Sequence, residues 1–292
     1  MKRPRIYVQM PAYRDTELGT TLSDLFAKAE APASLRVAVA WQRSENEHIG
    51  PRVRRLPGLE LLEIPATKSR GVNWARALLQ RRWRGEKYTL FLDSHHRFAR
   101  GWDTMAIDMF ERVRSSGVRK PILTAHLPAY VPDLEPAGRR MQPYKIYPHS
   151  REQGLLTKLT SSPIHAWRSL NQPVEAVFIS LHFLFASGTF NKEMPFDPSI
   201  YFSGDEVATS LRAFCAGYDA YHPHRILGWH SYDRTTRRSH WTDHIEAPWQ
   251  NSRSFATLAR LFTGRLKGQF ALKRRRSLRQ YEERIMCPLV ST

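Results

Sequence analysis

The stretch Tyr88-Thr89-Leu90-Phe91-Leu92-Asp93-Ser94-His95-His96-Arg97-Phe98 constrains this chain most, because an apolar run stops abruptly on a carboxylate and two imidazoles. Short apolar runs of this kind form buried strands, and in open α/β sheets ligands collect beyond the carboxyl ends of the strands. Asp93 and His95 therefore fall where a ligand or metal is expected. Asp and Ser are also common turn formers, so these residues alone fit an ordinary strand and polar turn equally well.

The flanking sequence supplies the sheet such a strand would need. Arg5-Ile6-Tyr7-Val8-Gln9-Met10 is a β-rich run ending at Pro11, and apolar periodicity predicts a helix over 18–29. Strand signals recur at 35–41 and 59–64. Ser69 is a plausible N-cap for a helix over 72–83. The spacing of Trp102, Met105, Ile107, Met109, Phe110 and Val113 predicts another helix over 102–114, and 121–125 reads as a further strand. Such alternation argues for an α/β fold with a mostly parallel sheet flanked by helices and wound right-handedly.

From Pro128 to Gln172, prolines 128, 132, 136, 143, 148 and 163 interrupt periodic elements, and the segment reads as a Pro-rich surface excursion. Strand-like patterning resumes at 174–186. Asp205 and Glu206 then open a helix over about 207–216 that closes at Gly217. Adjacent acids at a helix start can simply complement its dipole, worth ~0.3–1 kcal/mol. From Pro248 onward the chain reads as helical and very basic, with Lys273-Arg274-Arg275-Arg276 as its densest run, ordinarily a solvated face.

Composition narrows the classes. With 292 residues, 41% of them apolar, the chain can fill a real core. Its two cysteines, Cys215 and Cys287, lie far apart and outside any paired spacing, so neither a disulfide framework nor a structural zinc site is indicated, which suits a reducing cytoplasm. Met1-Lys2-Arg3-Pro4-Arg5 leads directly into the first strand, and no apolar run of eighteen residues suggests a transmembrane segment, so a soluble, cytoplasmic protein is expected. The net charge of +18 favours a phosphate-bearing substrate, a polyanion or the periphery of an anionic membrane.

Further motifs occur along the chain: Met10-Pro11-Ala12-Tyr13-Arg14-Asp15-Thr16-Glu17-Leu18, Ala75-Arg76 with Arg84-Gly85-Glu86-Lys87-Tyr88, and Asp93-Ser94-His95-His96-Arg97-Phe98. Downstream come Phe185-Ala186-Ser187-Gly188, Phe196-Asp197-Pro198, Gly204-Asp205-Glu206, Gly217-Tyr218-Asp219, Tyr221-His222-Pro223 and Trp229-His230-Ser231-Tyr232-Asp233-Arg234. Their order resembles that of the α-N-acetylglucosaminyltransferase family that includes the Skp1 hydroxyproline GlcNAc-transferases and has the GT-A fold. Asp205 departs from the pattern, which more often has Glu there, and the resemblance does not reach beyond about residue 245. The resulting organisation is a GT-A domain over 1–245 and a basic helical C-terminal extension over 246–292.

The resemblance implies a metal-dependent, retaining transfer of a sugar, GlcNAc in the family, from a UDP-sugar to a hydroxyl on a protein, peptide or glycan. Asp93-Ser94-His95 takes the place of the Asp-any-Asp motif of this fold, since residues two apart on an extended segment point to the same side. A carboxylate with imidazole and phosphate oxygens points to Mn²⁺, or Mg²⁺, and His230 resembles the histidine that completes such sites. Tyr13 and Arg14 resemble the residues that meet uracil and ribose. Arg70 and Arg76 are placed like the groups that contact the diphosphate, although both could be surface residues, and Ser94 falls in the nucleotide platform. Asp205 and Glu206 would lie across the sugar as the catalytic carboxylates. A rival reading, a basic nucleic-acid-binding protein without catalysis, finds no helix-turn-helix, zinc-finger or aromatic RNA-binding signature.

Overall fold

Strand β1 (Ile6–Tyr13) shows how alternation sorts the layers. Ile6, Val8, Met10 and Ala12 enter one apolar core, whereas Tyr7 faces a second core across the sheet, the two-residue period of a strand covered on both sides. The computed structural model describes residues 5–234 and 237–291. Residues 1–4, read above as leading into the first strand, lie outside it.

After β1 come α1 (Leu18–Lys28), β2 (Leu35–Arg43), α2 (Pro51–Arg54), β3 (Leu59–Pro65), α3 (Val72–Gln80) and β4 (Tyr88–Leu92). Then follow β5 (His96–Phe98), α4 (Trp102–Ser115) and β6 (Pro121–Thr124). The N-cap of α3 is Gly71, not Ser69. The chain turns there through a φ of 99°, which suits glycine, and the Ser69 hydroxyl is spent on Gln42 instead. The same helix stops at Gln80, short of the expected Trp83.

The second half comprises β7 (Tyr144–Glu152), β8 (Leu155–Pro163), β9 (Val174–Ala176), β10 (Phe183–Ser187), α5 (Phe190–Glu193) and α6 (Asp205–Cys215). It ends with β11 (Asp219–His222), β12 (Gly228–His230), α7 (His240–Asp243), α8 (Ala247–Phe262) and α9 (Leu278–Ile285). The main sheet has the order β3-β2-β1-β4-β10-β6-β11-β9. Pairings among β1 to β4 and between β6 and β11 are parallel, and those made by β10 and β9 are antiparallel. The expected mostly parallel sheet flanked by helices is present.

The Pro-rich excursion needs correction. Inside it, β7 and β8 form an antiparallel hairpin, because Ile146, Leu155 and Leu156 bury one face in a core shared with α6, α8 and α9. Pro148 is tolerated beside a register shift, where the ladder does not need its missing N–H. The basic run near the C-terminus also differs from a solvated face at its last residue. Arg276 grips Asp219 through two hydrogen bonds of 2.7 and 2.9 Å, with its guanidinium over Phe214.

Candidate active site

β4 is buried throughout and ends at Leu92, so the following residues emerge at the carboxyl edge of the sheet beside the tips of β1 and β2. β12 pairs antiparallel with β5, setting His230 opposite His96, and the Ser231 N–H donates to the His95 carbonyl at 3.0 Å. Residues far apart in sequence thereby converge. Ligand atoms of Asp93, His95 and His230 all lie within 4.8 Å of one another, the one such cluster among the described residues.

The donor set fits a divalent cation. His95 Nε2 and His230 Nε2 lie 3.7 and 3.5 Å from Asp93 Oδ2, and both ring nitrogens of buried His230 lack a hydrogen-bond partner. Burial opposes ionisation of Asp93, but His95 and Arg76 beside it hold its carboxyl below the usual range. Burial and the neighbouring His95 and His96 push His230 well below an ordinary imidazole, which favours the neutral, ligating form.

Asp15, a motif residue given no role from sequence, orders this cluster. Its Oδ2 accepts from Ser94 Oγ at 2.5 Å and lies 2.7 Å from His95 Nδ1, leaving the Nε2 edge of His95 for Asp93 and a cation. Ser94 is therefore engaged with Asp15. His182, also missed, stacks on His230 with ring centroids 4.2 Å apart. It accepts from the Leu127 N–H at Nε2 and meets Ser180 Oγ through Nδ1.

The cluster forms one wall of a cavity of about 270 Å³. Tyr13 and Gln42 line it from the tips of β1 and β2, Arg76 from α3, and Arg237 from the segment after β12. Tyr13 and Arg14 are both tied to Asp243 of α7, at 2.9 and 2.7 Å. Arg237 escaped notice because nothing in a sequence with 45 Lys and Arg residues separates an inward arginine from an outward one.

Other expected residues fall elsewhere. Arg70 is exposed and lines a separate cavity with Trp74, Tyr201 and Arg253. Asp205 and Glu206, expected across the sugar, do not line the 270 Å³ cavity. Asp205 Oδ2 pairs with buried Arg76 at 2.6 Å, and Arg76 in turn lies 3.9 Å from Asp93. Glu206 Oε1 accepts from Ser180 Oγ and the Leu181 N–H at 2.6 and 2.8 Å. Burial raises both carboxyls above their ordinary range, against the pull of Arg76 on Asp205 and of the Ser180 hydroxyl on Glu206.

The family model described as Glycosyltransferase (GlcNAc) matches residues 5–56 and 52–286. The chain belongs to this glycosyltransferase family. Among solved structures it is similar to S. aureus TarS 1–349 in complex with UDP-GlcNAc, with TM-score 0.58 and 13% identity over 96% of this chain and 70% of that one. It is also similar to GalNAc-T7 with UDP, GalNAc and Mn²⁺, with TM-score 0.60 and 11% identity over 98% of this chain and 55% of that one. Of a further TarS 1–349 structure, TM-score 0.51 and 13% identity over 78% of this chain, it spans 60%. Likeness at these identities speaks for the fold, which is GT-A. A comparison with curated proteins finds no match. No helix among the described residues is long and apolar enough to cross a membrane.

Proposed function

We propose that this GlcNAc-family glycosyltransferase transfers GlcNAc from UDP-GlcNAc, with retention of configuration and dependence on Mn²⁺, to a hydroxyl of a protein, peptide or glycan. The observation that carries the reading is the convergence of Asp93, His95 and His230 at the tip of β4, inside a cavity that Arg76 and Arg237 also line. The UDP-GlcNAc and Mn²⁺ found in the neighbouring structures agree with it.

In this reading Asp93, His95 and His230 would hold the cation, which would supply positive charge against the negative charge of the departing diphosphate. Asp15 fixes the tautomer of His95 so that Nε2 faces inward. Tyr13 and Gln42 lie on the side where the nucleoside would rest. Arg76 and Arg237 supply positive charge to the diphosphate in a recess where little water screens it. Asp205 then acts by holding Arg76, and Glu206 by holding Ser180, which orients His182 against His230. The family's front-face transfer passes the acceptor proton to the leaving phosphate oxygen, so no side chain has to serve as base.

Purified protein incubated with UDP-GlcNAc and other UDP-sugars, with and without Mn²⁺, should release UDP from at least one donor. Absence of both binding and turnover for every UDP-sugar would sink the reading. Asp93→Ala should abolish metal-dependent UDP binding.

A further inference from the structure

Three aromatic side chains stand in solvent at the mouth of the donor cavity. Phe202 is 42% exposed, Tyr232 47% and Trp241 38%, and all three line the cavity that contains Asp93, His95 and His230. Among the described residues only Tyr147 and Trp249 are comparably exposed aromatics. The molecule's solvent-facing rings are therefore concentrated at this opening, and an exposed aromatic cluster beside a reactive site marks a surface that binds something.

The rings are held, not loose. Phe202 and Trp241 meet edge to face with centroids 5.0 Å apart. The Arg234 guanidinium lies 5.0 Å from the Trp241 ring, and Tyr232 donates its hydroxyl to the Leu127 carbonyl at 2.8 Å. A rim fixed in this way loses little side-chain freedom on binding. Its chemistry is that of sugar recognition, because the negative π-faces attract the C–H faces of a pyranose and a guanidinium donates to ring hydroxyls. An extended peptide fits less well. It binds best by adding to a free strand, and neither edge strand of the main sheet, β3 or β9, contributes to the cavity.

We propose that Phe202, Tyr232, Trp241 and Arg234 form the acceptor subsite, and that the acceptor is a saccharide. Its ring stacks on the rim while one hydroxyl enters the cavity. This rests on the transferase reading above. The acceptor oxygen forms its bond to the anomeric carbon as the bond from that carbon to the diphosphate breaks; the hydroxyl proton leaves on the phosphate oxygen, and UDP departs.

The test is a glycan microarray of neutral, amino-sugar, carboxylated and phosphorylated oligosaccharides with Ser- and Thr-containing peptides printed beside them, probed with protein saturated with Mn²⁺ and UDP. Titration of UDP with Mn²⁺ runs in parallel. The unaltered protein should retain a set of glycans, Trp241→Ala and Phe202→Ala should bind them roughly tenfold more weakly, and Trp241→Tyr, which keeps a stacking ring, should recover most of the loss. The melting temperatures of all three variants should match that of the unaltered protein, a control for folding. Retention of no glycan, equal retention by both alanine variants, or retention of peptides alone would overturn the proposal. Failure of the unaltered protein to bind UDP would strike the transferase reading itself and this subsite with it, an outcome the parallel titration identifies separately.

Discussion

Asp15 Oδ2 lies 2.7 Å from His95 Nδ1, and the opposite edge of the same ring faces Asp93 Oδ2 at 3.7 Å. A carboxylate behind a ligating imidazole fixes its tautomer and raises its basicity, and loss of such a partner costs roughly 10–100-fold in metal affinity. Asp15→Asn should therefore weaken Mn²⁺ binding by about that factor, read by electron paramagnetic resonance of free Mn²⁺, with circular dichroism unchanged. Wild-type affinity in the variant would separate Asp15 from the cation site.

Buried Arg76 pairs with partly buried Asp205 at 2.6 Å. Removing one partner of such a pair costs up to ~3–5 kcal/mol, because the remaining charge has no counter-ion. Arg76→Ala should lower the melting temperature, and more at pH 8 than at pH 5. Burial already raises the Asp205 carboxyl, so at low pH it escapes the penalty by taking up a proton, and at high pH it cannot. Adding Asp205→Asn to Arg76→Ala should recover part of the loss. A destabilisation independent of pH would assign the effect to lost packing.

Much of this architecture is legible in the sequence because its signals are local. The apolar run ending at Asp93 marks the strand, and i, i+2 spacing places His95 beside it. His230 is reachable only through a family pattern, since the β5–β12 pairing that delivers it joins segments 134 positions apart at His96 and His230. Asp15 stood inside a recognised motif, but its partner is set by the close approach of the β1 tip to the β4 tip, which no periodicity encodes. The β7–β8 hairpin was hidden because prolines suppress the strand signal, and only burial of Ile146, Leu155 and Leu156 against α6 and α8 restores it. Asp205 and Glu206 mark a helix start in the sequence and open α6 in the fold, whereas their engagement with Arg76 and Ser180 is purely tertiary.

The segment carrying Arg237 and His240 is fastened over the cavity at two points. Asp243 accepts from Arg14 and Tyr13, and His240 Nε2 meets Ser69 Oγ at 2.7 Å. Exposed ion pairs contribute only ~0.2–1 kcal/mol, but here one carboxylate serves two donors at once. Asp243→Ala should speed tryptic cleavage after Arg237 and Arg238 by about fivefold, consistent with a latch of ~1 kcal/mol. The cleavage rate, followed by mass spectrometry, should fall again when UDP and Mn²⁺ are added to the native protein. An unchanged rate in the variant would show that the Asp243 contacts do not hold the segment down.

His222 sets a pH dependence separate from the reaction. Its Nδ1 donates to the Thr124 carbonyl at 2.9 Å and its Nε2 accepts from the Ile146 N–H at 3.2 Å, so the neutral ring alone satisfies both neighbours. Burial lowers its pKa from 6.5 to about 3. The unfolded chain therefore binds more protons than the folded one between these values, and the stabilisation, fully present above pH 6.5, is lost as the pH falls toward 3. Buried His96 and half-buried His126, lowered to about 3 and about 4, act in the same direction. Urea denaturation at pH 7.5, 6, 5 and 4 should show stability falling with each step. His222→Gln offers an amide donor and acceptor without a titrating proton, so it should lower stability at pH 7.5 yet flatten the acid slope; a slope as steep as the wild type would place the sensitivity in other groups.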